Sequence, residues 1–202
     1  MRSSNSSVSK GHRGRPGYSR EDIIRAAVRE FTNHGYEATS MGRVAKNLGI
    51  TKSALYHHVN SKEEILELSV KKALDALETV VERAVADESP ARDRLRLLVR
   101  RSVKVLCDDP ASVALLLRLR GNSEAELEAV ARRRQLTRQT VAIIAQAQYE
   151  KSIRHDFNQV LLGRMVYGLV NSVADWYRVD GRFSPDEVAE AVEAMLFEGM
   201  SV

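Results

Sequence analysis

Residues 40–59 read SMGRVAKNLGITKSALYHHV, and the fold of the chain around them follows from how this stretch must be built. Two short helices that cross steeply need a small residue where they touch, a turn residue that tolerates positive φ, and apolar anchors on their inner faces. Ala45, Gly49 and the set Val44, Leu48, Ile50 and Leu55 meet these needs. Ser40 precedes the first helix and Thr51 the second, each offering a hydroxyl oxygen to the free N–H groups of the first turn. Helices of about two turns are not stable alone in water. They must therefore rest on a helix before them and the start of a helix after them.

The outward face of the second short helix carries Thr51, Lys52, Ser53, Tyr56, His57 and His58. Hydroxyl, ammonium and imidazole groups meet base edges and phosphates, and the Ala54 methyl suits a thymine methyl group. A plain helical hairpin within a bundle would leave that face unexplained. Ser40, at the head of the first helix, and Lys62, opening the helix that follows, belong on the flank of the same surface. The adjacent imidazoles of His57 and His58 do not suggest a metal site, because neighbours on a helix point about 100° apart.

The charge of the chain agrees with a nucleic-acid head. The first 60 residues hold ten Lys or Arg against four Asp or Glu, whereas the rest holds 21 against 23. Positive charge confined to one end of a neutral-to-acidic body suits a polyanion partner, since phosphate contacts dominate nucleic-acid affinity. Residues 1–17 are expected to form a disordered basic arm. Within it Arg13 and Arg15 flank glycine and precede proline, an extended cationic strip resembling an AT-hook and suited to a narrow minor groove. A solvated tail is the other use of such an arm.

Apolar residues recur at three and four positions through the remainder, and period-two runs of β-branched residues are absent, so an all-α chain of nine helices is expected. Starts fall after Ser19, Ser40, Thr51 and Ser61, at Ser89-Pro90, at Pro110, at Ser123, near Asp156 and at Ser184. Ser19 with Asp22, Ser61 with Glu64 and Ser184 with Glu187 read as capping boxes. Residues 18–63 then form the three-helix head and residues 64–202 a helical body.

Other classes find little support. Cys107 is the single cysteine, which fits a reduced, cytoplasmic chain with an ordinary helix-face thiol. No apolar run reaches the roughly 18 residues of a membrane span, and MRSSNSSVSK lacks the apolar stretch of a secretion signal. No nucleophile, acid and base come together by spacing, and there is no phosphate-cradling glycine loop or metal motif. Neither enzymatic activity nor a cofactor is expected.

From Tyr18 to Leu66 the chain resembles the DNA-binding domain of TetR-family transcription regulators. The likeness rests on Ala26-Ala27 with Phe31, Gly35-Tyr36, Ala38-Thr39-Ser40-Met41, Val44-Ala45, Leu48-Gly49, Leu55-Tyr56-His57-His58 and Lys62-Glu63-Glu64. The resemblance implies phosphate contacts from Tyr56 and Lys62, groove contacts from Thr51, Lys52, Ser53 and His57, and a C-terminal ligand-binding and dimerisation domain. Val59 stands where the family usually has phenylalanine, and Gly42 where a polar residue is more usual. Further on, Trp176-Tyr177-Arg178, Asp180-Gly181 and Ser184-Pro185-Asp186-Glu187 look similar to members regulating fatty-acid, aromatic or steroid-ring degradation.

The resemblance also implies a homodimer joined by the last two helices. Their apolar stripes, Leu162, Met165, Leu169, Val173 and Trp176 on one and Val188, Val192 and Met195 on the other, are wide enough for a second copy. Leu98, Leu115, Leu119, Ile143, Tyr149, Tyr167 and Asn171 are candidate lining for an effector pocket, though each apolar one also suits plain core. The arginines from Arg92 to Arg101, with Arg118 and Arg120, are either a solvated face or a seat for an anionic head group. The expected function is a repressor released from an inverted-repeat operator by an acyl-coenzyme A or other hydrophobic metabolite. The alternative is a ligand-independent architectural or nucleoid-type DNA-binding protein.

Overall fold

A computed structural model describes residues 18–200; the basic arm with Arg13 and Arg15 lies outside them. Among the described residues the chain is all-α, with nine helices and no strand. The head comprises α1 (Arg20–His34), α2 (Met41–Leu48), α3 (Lys52–Tyr56) and the start of α4 (Lys62–Ala86). The body adds α5 (Ala91–Asp108), α6 (Pro110–Arg118), α7 (Glu124–Tyr149), α8 (Gln159–Trp176) and α9 (Pro185–Phe197).

Local chemistry sets most of the boundaries. The Ser19 hydroxyl accepts from the Asp22 N–H while the Asp22 carboxylate accepts from the Ser19 N–H at 3.1 Å, and Ser184 with Glu187 repeats the device at α9. Gly49 closes α2 at φ 67°, ψ 29°, a left-handed conformation that a Cβ disfavours. Some expected boundaries shift. Helix α3 ends at Tyr56 and not near His58, and α8 starts at Gln159, capped by Asn158. At Ser61 only half of the capping box forms, because the Glu64 carboxylate bonds the Asn60 N–H at 2.5 Å. Helix α5 has no side-chain cap of its own at Pro90; Glu150, just past α7, accepts from the Ala91 N–H at 2.9 Å.

The core runs unbroken from head to body. In the head Ile23, Ala27, Phe31, Val44, Leu55, Val59 and Ile65 are buried, so Val59 fills its place under α1 without the larger ring. Helix α4 passes from this cluster into the body, where it packs on α5, α6 and α7. Helix α6 touches α1 as well as α4 and α8, making a second link between the halves. Cys107 is buried on α5, and that burial, with the Asp108 charge, pushes its thiol up to about 11. No helix among the described residues is long and apolar enough to cross a membrane.

Candidate functional site

The outward face of α3 stands on a buried base. Leu55 and Val59 anchor α3 inward, which leaves Thr51, Lys52, Ser53, Tyr56 and His57 exposed and Ala54 and His58 half-buried. The Thr51 hydroxyl oxygen accepts from the Ala54 N–H at 3.1 Å, and the Lys52 ammonium lies 5.8 Å from the Tyr56 ring centre. Ser40 is exposed, its hydroxyl accepting from the Arg43 N–H at 3.3 Å. Lys62 is half-buried, with its ammonium 4.0 Å from the Tyr36 ring centre and a long 3.5 Å bond to the Glu37 carbonyl.

Two polar clamps hold this surface. Glu30, only 8% exposed on α1, accepts from Arg43 Nε at 3.0 Å and from Asn47 Nδ2 at 2.6 Å, pinning both turns of α2. Arg20 donates through Nε to the His58 carbonyl at 3.0 Å and pairs with Glu64 at 2.5 Å, tying the end of α3 to the starts of α1 and α4. The Asn60 N–H and Arg20 together hold the Glu64 carboxyl below its ordinary pKa.

The body holds a half-open cavity of about 470 Å³ between α4, α5, α6, α7 and α8. Leu77, Val81, Leu106, Leu116, Leu136 and Val170 form its apolar walls; Ser102, Thr137, Tyr167, Asn171, Arg133 and Arg164 supply polar groups. Of the residues expected as effector lining, Tyr167 and Asn171 border this cavity. Leu98, Leu115 and Ile143 are instead core residues at 2%, 2% and 3% exposure, packed between helices. Leu119 opens onto a different groove between α4 and α7, and Tyr149, at the end of α7, is 89% exposed. Three of the five α5 arginines meet partners within the chain. Arg96 and Arg100 both pair with Glu193 of α9, at 2.5 and 2.9 Å, and Arg94 donates to Gln146 at 2.6 Å.

The last two helices divide their apolar rows. Met165 (61%), Trp176 (48%) and Met195 (45%) are exposed, and Leu162 and Leu169 half-buried. Val173, Val188 and Val192 belong to the protomer's own core at 0%, 5% and 6%, because α5 packs against both helices and covers those rows. The outward row of α8 includes Leu161, which is 44% exposed.

Residues 23–68 match the bacterial regulatory proteins, tetR family, and residues 88–200 match the tetracyclin repressor-like C-terminal domain. A crystal structure of a TetR-family regulator from Streptomyces coelicolor A3 is 36% identical, with 96% of this chain and 98% of that one covered and a TM-score of 0.82. The chain belongs to the TetR family. A structure of AibR in complex with isovaleryl coenzyme A and operator DNA is 26% identical, covering 88% of this chain and 97% of that one, TM-score 0.71. The biofilm operon negative regulator IcaR of Staphylococcus aureus is 37% identical over 62 residues, 31% of this chain. That match spans only a third of the relative's length.

The polar outward face of α3 was legible from residue types. Glu30, Arg20 and Arg133 were not singled out. Glu30 reaches partners 13 and 17 residues away and Arg20 one 44 residues away, so no local pattern marks them. A charged residue on the apolar face of α1 was the one available signal for Glu30.

Proposed function

We propose that this TetR-family regulator is a homodimeric repressor that leaves an inverted-repeat operator when a small hydrophobic metabolite, such as the acyl part of a coenzyme A ester, enters the body. The observation that carries the reading is the pairing, in one continuous core, of an exposed polar α3 face with a largely apolar cavity of about 470 Å³. A ligand-independent architectural role would leave that cavity without a use. The complex of AibR with isovaleryl coenzyme A and operator DNA supports the same division of labour.

In this reading Thr51, Lys52, Ser53, Ala54 and His57 meet base edges, while Tyr56, Lys62 and Ser40 hold phosphates. Arg13 and Arg15 enter the adjoining minor groove. The exposed rows of α8 and α9 meet a second copy, so that two heads read half-sites about one helical turn apart. The ligand favours a body in which α4 and α6 carry the heads out of that spacing. A coupling of about 1–3 kcal/mol would lower occupancy roughly five- to 150-fold.

Selection of bound sequences from random duplexes tests the reading. It should return an inverted repeat, and a panel of acyl-coenzyme A esters should contain members that raise the melting temperature and release that duplex. Recovery of no preferred sequence, or of a single unrepeated half-site, would count against a dimeric reader.

A further inference from the structure

Arg133 stands where the cavity meets α6. Its Nη1 donates to the Leu116 carbonyl at 2.9 Å and to the Leu117 carbonyl at 3.2 Å. These belong to the last turn of α6, where the Leu116 carbonyl otherwise accepts only a long 3.4 Å bond from the Leu119 N–H, and positive charge there also suits the negative end of the helix dipole. The same side chain lines the cavity, together with Arg164.

Arg133 is half-buried and Arg164 exposed. Elsewhere in the body Arg96 and Arg100 meet Glu193 and Arg132 meets Asp75 and Glu78, whereas Arg94 and Arg118 bond only neutral oxygens, those of Gln146, Ala84 and Thr32. Arg133 and Arg164 have no carboxylate partner among those ion pairs. Burial foremost, then repulsion from Arg134 and Arg120, lowers the Arg133 pKa. A guanidinium that holds only neutral carbonyls beside an apolar cavity has more to gain from an anion, since charge-assisted bonds are about twice as strong as neutral ones.

Helix α6 leads from Arg133 to the head. Arg118, its last residue, donates to the Thr32 carbonyl of α1, and the Thr32 hydroxyl, shared with Val28, donates back to the Ala111 carbonyl at 3.2 Å.

We propose that the effector is an amphiphile with an apolar chain and an anionic head, a carboxylate or a phosphate, received by Arg133 and Arg164. The head draws Arg133 from Leu116 and Leu117, which frees the end of α6 and loosens its grip on α1. This rests on the cavity being the effector site. Its volume lies within the range of about 300–1,000 Å³ that receives small molecules.

Decanoate, decanol and decanoyl-coenzyme A, titrated against the full chain on its selected operator, decide the matter by fluorescence anisotropy and thermal midpoint. An anionic compound should release DNA at concentrations about tenfold or more below decanol, and Arg133→Gln should narrow that gap to about threefold or less. Decanoate acting ahead of the ester assigns the head to a free carboxylate, and the reverse order assigns it to the nucleotide phosphates; either supports the proposal. Equal potency of decanol and both anionic compounds overturns the anionic head yet leaves the cavity as the effector site. A gap that persists undiminished in folded Arg133→Gln overturns the role of Arg133. Silence from all three compounds removes the effector reading of the cavity and this proposal together. The comparison with decanol uses the natural chain, so it stands even if the variant does not fold.

Discussion

Glu30 is a carboxylate buried on the face of α1 that otherwise carries Ile23, Ala27 and Phe31. It is tolerated there because Arg43 and Asn47 fill its acceptor sites at 3.0 and 2.6 Å; an unpaired buried charge would not be. Arg43 is 47% exposed at its side chain, so water screens the pair and the ion-pair part of its contribution is modest. Glu30→Ala should therefore cost about 1–3 kcal/mol, mostly from lost hydrogen bonds to charged and amide groups. The expected readings are a lower urea midpoint and, on the proposed function, operator binding weakened evenly across sequences, since α2 would support α3 without reading bases. A change in base preference would show that α2 takes part in recognition.

At the scale of elements, close approach is set by glycine in one place and not in another. A Cβ at Gly163 of α8 would lie 2.7 Å from Val141 Cγ2 on α7, and Val141 is β-branched with little rotamer freedom. Gly163→Ala gains about 1 kcal/mol of helix propensity against an overpacking cost of about 1–3 kcal/mol, so a lower melting temperature is expected. Gly42 on α2 is exposed and its Cβ would meet only Ser40 Oγ at 3.8 Å. Gly42→Ala should raise the melting temperature, by up to about 1 kcal/mol in stability. Calorimetry on the two variants gives opposite shifts if α7 and α8 touch as described.

For the whole molecule, the proposed dimer rests on the outward row of α8 and α9. Met165 is 61% exposed in the protomer, and Leu161 and Trp176 extend its row at 44% and 48%. Contiguous apolar exposure of this kind marks an association surface. Met165→Glu is expected to leave a folded monomer in sedimentation and to lose most operator affinity, since one head reads only one half-site. Val173→Glu differs by its placement alone. It buries a charge at a position 0% exposed, which costs several kcal/mol or more, so this variant should fail to fold as a protomer. A Met165→Glu protein that stays dimeric would move the interface elsewhere.

What the amino-acid order settled by itself is what depends on neighbours in the chain. Ser19, Ser40, Thr51, Ser123 and Ser184 cap the helices they were expected to cap, and Gly49 turns the chain at positive φ. The polar face of α3 followed from residue types on either side of Leu55. Capping, left-handed turns and helical periodicity act over one to four residues, so they are visible in a single sequence. Tertiary packing decided which of several apolar rows each helix turns inward and which arginine finds which acid. Val173 and Met165 look alike as members of one stripe, yet α5 covers the first and leaves the second exposed. Arg100 finds Glu193 across 93 positions, while Arg133 finds only carbonyls. A 3.6-residue period gives the width of an apolar stripe but not the neighbour that covers each part of it, and ion pairs form between side chains that the folded chain, not its sequence spacing, brings together.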